Sequence, residues 1–172
     1  TLNTSTHYSY LSSDITTHSI GFSTPLKNKN NLGFNITRDG IPSFNTTNLG
    51  VSYGKLLSEN FAIGLKTEIQ YLHIDKRYTK FIVLPEISIA GKHSKNWGYS
   101  MILVNPTRQS YNKELYYNSP SQLIIGGNYS KENYLLAMEI NKKSEEPILV
   151  SWGGLYTLST NVFLSFGFKT NT

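Results

Sequence analysis

Phe61-Ala62-Ile63-Gly64-Leu65-Lys66-Thr67-Glu68-Ile69-Gln70-Tyr71 is the stretch whose reading decides the fold. Phe61, Ile63, Leu65, Thr67, Ile69 and Tyr71 recur at every second position, and Ala62, Gly64, Lys66, Glu68 and Gln70 fill the places between them. A helix would scatter these two sets around its axis, whereas a strand sends them to opposite faces. The stretch is also about as long as the 9–11 residues that a tilted strand needs to cross a bilayer.

The same period recurs along the chain. Leu49, Val51 and Tyr53 oppose Gly50, Ser52 and Gly54; Leu123, Ile125 and Tyr129 oppose Gly126, Asn128 and Ser130. Tyr134, Leu136, Met138 and Ile140 oppose Ala137, Glu139 and Asn141, and Val162, Leu164, Phe166 and Phe168 oppose Ser165, Gly167 and Lys169. The turn signals between these runs fall into two sets. Residues 27–30, 58–60, 93–96, 130–133 and 159–161 are short, whereas 37–46, with Asp39-Gly40 and Pro42, 75–80, 105–122 and 141–147 are longer. Short and long connections are therefore expected to alternate strictly, as in outer-membrane barrels with short periplasmic turns and longer external loops. The fold expected is all-β, an antiparallel up-and-down transmembrane β-barrel of about 10–12 strands with room for more in a longer chain, and residues 1–172 form one barrel domain.

Composition narrows the function classes. The chain has 172 residues, no cysteine, 13 glycines, 12 tyrosines, 16% charged and 13% aromatic residues, with a mean hydropathy of -0.31. Without cysteine there are no disulfides, thiolate metal sites or cysteine nucleophiles. No apolar run approaches the length of a membrane-spanning helix. The 16 Lys and Arg exceed the 11 Asp and Glu, but they are spread over many turns and make no tract that would follow a phosphate backbone, so nucleic acid is not an expected partner.

A soluble barrel would show the same alternation with its apolar face turned inward. The composition of the polar face separates the two cases: Gly, Ser and Asn suit a crowded interior better than a surface that has to stay soluble and protect its edges. The large apolar residues then face lipid, and Lys66, Glu68, Glu86, Glu139 and Lys169 lie in the lumen, where opposite charges are expected to pair across strands. Ile124, Leu135 and Leu149, also inward, imply a narrow, partly filled lumen. At the short turns, Asn60, Asn96 and Asn133 precede Phe61, Trp97 and Tyr134, a weak internal repeat that sets three rings at one height, where an interfacial aromatic girdle belongs.

Little in the chain points to chemistry. His7, His18, His73 and His93 have no metal-ligand spacing. His18-Ser19 and His93-Ser94 suggest a hydrolase dyad, but adjacent strand residues face opposite ways. Residues 108–117, bracketed by Pro106 and Pro120, could form one helical turn. No catalytic residue, cofactor or metal is expected.

Leu49-Gly50-Val51-Ser52-Tyr53-Gly54-Lys55-Leu56-Leu57-Ser58, continuing through Asn60-Phe61-Ala62-Ile63-Gly64-Leu65, resembles a hairpin of Bacteroidota outer-membrane barrels of the PorV and PorQ group. Leu103-Val104-Asn105-Pro106-Thr107 resembles the strand exit ending in Asn-Pro, Pro147-Ile148 through Gly154-Leu155-Tyr156 a later strand, and Phe166-Gly167-Phe168-Lys169-Thr170-Asn171 the final one. The resemblance covers most of the chain from Tyr8 onward. It implies an integral protein of the bacterial outer membrane, some members being accessory subunits of type IX secretion, with distant relatives that pass hydrophobic compounds. The chain is shorter than the larger members and ends after a strand where they continue, so an odd strand count would mean either further strands or a count that is off by one. The leading expectation is a non-enzymatic accessory or scaffold subunit of an envelope complex concerned with secretion or outer-membrane biogenesis. Its partners would be outer-membrane lipid and other envelope proteins, met through Arg108, Tyr111, Tyr116 and Tyr117 of the longest loop. The alternative is a passive channel or carrier for small hydrophobic compounds, with Pro85 opening the wall laterally by removing a ladder donor. A lipid-modifying hydrolase using Ser19 or Ser94 ranks third.

Overall fold

The alternation becomes strands throughout. The computed structural model describes residues 2–8, 16–75, 78–112, 117–159 and 162–171. The strands are β1 (Leu2–Tyr8), β2 (Thr16–Leu26), β3 (Asn30–Ile41), β4 (Phe44–Ser58), β5 (Phe61–Ile74), β6 (Tyr78–Lys92), β7 (Trp97–Val104), β8 (Ser110–Asn112), β9 (Tyr117–Asn118), β10 (Gln122–Lys131), β11 (Tyr134–Lys143), β12 (Leu149–Ser159) and β13 (Val162–Asn171). Eleven form one sheet in chain order, each pairing antiparallel with the next, while β8 and β9 make a small separate pair inside the longest connection. The expected one-turn helix at residues 108–117 is thus replaced by this β8–β9 pair, of which residues 113–116 lie outside the described residues.

β1 and β13 end the strand order, and among the described residues no strand pairs with the outer edge of either. With eleven strands alternating in direction, these two edges run parallel to each other.

The side chains are arranged the opposite way from those of a soluble protein. Among the described residues only Leu72, Ile82 and Leu84 form a buried apolar cluster, at 2%, 5% and 6% exposure. Meanwhile Leu65, Ile69, Phe81, Ile87, Trp97, Met138, Trp152 and Phe166 stand out from the sheet, Phe81 at 65% and Leu65 at 54%. A few hundred Å² is the usual ceiling for an exposed apolar patch on a soluble monomer, and here the patch continues from strand to strand. The opposite face carries Gly, Ser, Asn and the charges, as the sequence pattern requires.

One rim of the sheet is built from repeated short turns, residues 27–29, 59–60, 93–96 and 132–133. In each, the last turn residue offers its carbonyl to the next hairpin: Lys29 O accepts from Leu56 N, Asn60 O from Lys92 N, Asn96 O from Ser130 N and Asn133 O from Thr157 N. The repeated turn asparagine therefore extends the ladder by one bond beyond the strand ends. Ser58 Oγ and Ser94 Oγ each accept from the amide of the asparagine two residues on, which tightens two of these turns.

The other rim departs from strict alternation. Residues 42–43 and 75–77 are as short as the turns at the opposite rim, and residues 105–121 carry most of the length there. The signals at Asp39-Gly40 and Pro42 misled because Asp39 and Gly40 stay in the ladder, opposite Thr46 and Asn45. Gly40 sits at φ +123, where a Cβ would meet the Phe44 carbonyl, so the chain can bend inside the strand and reverse over two residues. Asn45 Nδ2 then donates to the carbonyls of Ile41 and Pro42, and Asp75 N donates to Ser43 O.

Candidate functional site

The inner face of the sheet holds the candidate site. Gly50, Gly54 and Gly64 leave room on that wall for longer neighbours. A Cβ at Gly50 would strike Asn35 Oδ1 and sit 3.1 Å from Lys66 Cε, so the glycine is what lets the lysine stem lie flat across β4. Lys66 Nζ lies 2.7 Å from Glu68 and 4.0 Å from Glu86. Strand alternation puts Lys66 and Glu68 on one face, and the β5–β6 register sets Glu86 directly across from Lys66. Two carboxylates thus share one cation, and the cluster carries a net negative charge into a recess of about 360 Å³ with Ser23, Asn31, Ser52 and Ser88 around it. The Asn48 side-chain oxygen is buried on the same wall with no hydrogen-bond partner. Nearer the loop rim, Thr17 donates to Asp39 across β2 and β3.

The far wall differs. Glu139, Ser151 and Lys169 lie in one row across β11, β12 and β13, beside a recess of about 550 Å³. Ser151 stands between the two charged residues and no ion pair joins them among the described residues, so the expected cross-strand pairing holds for Lys66 and not for Lys169. The expectation of a partly filled lumen also needs correction. Ile124, Leu135 and Leu149 do point inward, but none is buried and Leu135 is exposed. They line the wall without meeting across it.

Apolar burial occurs instead at the loop rim. Leu72, Ile82 and Leu84, with Ile74 against them, sit on the inner face of β5 and β6, where β8 is the one element outside the neighbouring strands that touches β6. The ladder between β6 and β7 stops at Glu86 opposite Val104, leaving residues 78–85 of β6 standing above it. Asn105, at 0% exposure and φ +49, holds the base of the connection. Its backbone N–H donates to Pro85 O, its Nδ2 to the carbonyls of Gln109 and Ser119, its Oδ1 accepts from Gln109 N, and its own carbonyl accepts from Ser121 Oγ. Both ends of residues 105–121 are therefore tied at one side chain. Alternation alone could not reveal this, because the bonds join residues 4 to 20 apart; the strand exit at Asn105-Pro106 was the available signal.

Pro85 stays in the β5 register opposite Thr67. Its carbonyl faces the β7 side, and in an antiparallel strand the missing N–H faces the same way, where β7 has already left the ladder. The proline ends the ladder and makes no hole within it.

The three rings expected at one height have a fourth beside them. Trp97 and Tyr134 face outward beside the short turns, and Tyr129 joins them, 4.8 Å from Trp97 and 5.8 Å from Tyr134 between ring centres. Phe61 sits on the same face opposite Gly91, which is covered by the Tyr99 ring. Tyr71 and Phe81 mark the other end of the apolar band. Ten residue steps along β5 lead from Phe61 to Tyr71, a rise of about 23 Å at ~3.3 Å per residue and ~45° tilt, close to the ~25 Å band of outer-membrane barrels.

Of the loop residues, Arg108 is exposed with φ +54, and Tyr111 and Tyr117 lie on β8 and β9. The side chains of His7, Tyr111 and Tyr117, and Tyr116 altogether, fall outside what is described. By register His18 faces out and Ser19 faces in, while His93 and Ser94 occupy a turn.

Comparison with known protein families finds no match, and comparison with curated proteins finds none either. Among solved structures the chain is similar to one titled "KdgM porin", with a TM-score of 0.57 at 12% sequence identity, over 91% of this chain and 85% of that one. The fold is therefore that of an outer-membrane β-barrel. The narrower resemblance to the PorV and PorQ group finds no support in these comparisons.

Proposed function

We propose that the chain forms a passive, non-enzymatic channel in the bacterial outer membrane for small polar solutes. The observation that carries this reading is the contrast between the two faces of one sheet: an exposed apolar band bounded by rings outside, and Gly, Ser and Asn with a shared-charge cluster inside. The likeness to a porin supports a channel over an accessory subunit, since no residue described here speaks for a secretion partner. The polar lining favours polar solutes over the hydrophobic compounds first considered, and the position of Pro85 removes the motive for a lateral route. In hydrocarbon the free edges of β1 and β13 must be satisfied, and pairing with each other would be parallel.

Reconstitution in planar bilayers tests the reading. Discrete, reproducible conductance steps are the expected result; insertion without conductance above leak returns the accessory-subunit reading to first place.

A further inference from the structure

The outer face carries a groove that the channel reading does not use. It holds about 790 Å³ and is lined by Trp97, Ile125, Tyr129, Leu136, Met138 and Trp152, with Gly127 as its floor. Gly127 pairs with Tyr99 on one side and Met138 on the other. The Tyr99 ring leans the other way and covers Gly91, which leaves the Gly127 floor bare. Two of its lining rings, Trp97 and Tyr129, form a tilted cluster with Tyr134.

Directly beyond those rings lies positive charge. Lys131 is two residues past Tyr129 on the same outward face, and it pairs with Tyr134. The turn at residues 93–96, which carries Lys95, is bound to the same strand end: Ser130 N donates to Asn96 O, and Asn96 Nδ2 donates to Ser130 O at 2.7 Å. Lys92, just before that turn, pairs with Gly98 on the inward face and does not belong to this patch, and Glu132 follows Lys131 in the neighbouring turn. An apolar slot that begins at a ring belt and ends at a surplus of lysines matches a molecule with an alkyl chain and an anionic head.

We propose that this groove is a binding site for one anionic phospholipid, with an acyl chain over Gly127 and the phosphate between Lys95 and Lys131. The inference rests on the membrane reading of the outer face and goes beyond it by naming a site and a headgroup charge.

Trp97 and Trp152 are the only tryptophans in the chain and both line the groove, so quenching of intrinsic fluorescence by brominated lipid reads the site directly. The full chain is reconstituted in phosphatidylcholine vesicles containing a minor fraction of either brominated phosphatidylglycerol or brominated phosphatidylcholine. The anionic lipid should show roughly five-fold stronger association, about what one lysine near a charged headgroup contributes, and the preference should fall with added salt. Lys95→Gln with Lys131→Gln should abolish it, and Lys131→Arg should keep it. Gly127→Leu should weaken it; a Cβ there meets nothing nearer than Gly98 O at 3.8 Å, so the substitution fills the groove without disturbing the ladder. Equal quenching by the two lipids, a preference insensitive to salt in the unmodified chain, or one that survives these substitutions overturns the site. Absence of quenching by both lipids overturns the membrane reading itself, and the site with it.

Discussion

Replacing Leu65 with Arg should destabilise the protein in a bilayer by about 2–4 kcal/mol, the range for a cation at the midplane on the lipid face of a barrel. The position follows from the structure. Leu65 lies on β5 midway between Phe61 and Tyr71, points outward at 54% exposure, and is flanked in register by Tyr53 and Ile87 on the same face. An arginine there is about five residues from either girdle, too far for its head to reach the interface without thinning the bilayer. The folded-to-unfolded ratio should drop roughly 30- to 700-fold, read as a lower urea midpoint in phospholipid vesicles with tryptophan fluorescence. Ser151→Arg on the inner face, beside Glu139 in the register, supplies the control and should cost less than about 1 kcal/mol, because lumen positions meet water. A soluble barrel predicts the reverse order, since its apolar face would be the core and its polar face the surface. A Leu65→Arg change that is neutral, or cheaper than Ser151→Arg, refutes the assignment of the two faces.

Three further outcomes test the interior and the loop. Lys66→Gln leaves Glu68 and Glu86 without their shared cation; within ~4 Å in aqueous dielectric a permeant cation gains and an anion loses about 1 kcal/mol each, so the cation-to-anion permeability ratio should rise by up to roughly thirty-fold, measured as a reversal potential in a salt gradient, and an unchanged ratio places the cluster off the permeation path. Asn105→Ala removes two donated bonds and two accepted ones and puts an alanine at φ +49; at about 1 kcal/mol per net bond, the loop should open by about 4 kcal/mol and limited proteolysis within residues 105–121 should speed up roughly a thousand-fold, whereas an unchanged rate would mean that Asn105 does not latch it. Pro85→Val restores an N–H where the β7 ladder has already ended, so single-channel conductance should stay within experimental scatter; a marked fall would reinstate a lateral route at this point of the wall.

Much of this was legible because a period of two carries both structure and environment. The run from Phe61 to Tyr71 states which side chains share a face, and the residues on each face state what that face meets. Lys66 and Glu68 followed from that alone. Glu86 needed the β5–β6 register, in which Tyr78 stands opposite Ile74. The turn asparagines were legible as a repeat, although their carbonyl bonds to the following hairpin were not. Two readings failed for the same reason: turn-forming residues and inward apolar residues were counted without their neighbours. Asp39 and Gly40 look like a loop yet remain paired, and Ile124, Leu135 and Leu149 look like a filling yet do not meet.

What local pattern cannot encode here is any contact made across the sheet. Asn105 binds residues 4, 14 and 16 positions away, and the Gly127 groove exists because Tyr99, two strands from Gly91's other neighbour, leans one way and not the other. Glycine illustrates the point most directly. On the inner wall Gly50 is occupied by the Lys66 stem, on the outer wall Gly91 is occupied by a tyrosine ring, and Gly127 is occupied by nothing. The three are identical letters at strand positions, and only the packing of their partners separates a support for a charge cluster, a patch of girdle and an empty slot facing lipid. An empty apolar slot at the edge of a headgroup layer will hold some chain whenever the protein is in a bilayer. The charge at its mouth is therefore what turns that occupancy into selection, and why the lysine substitutions are more decisive than filling the groove.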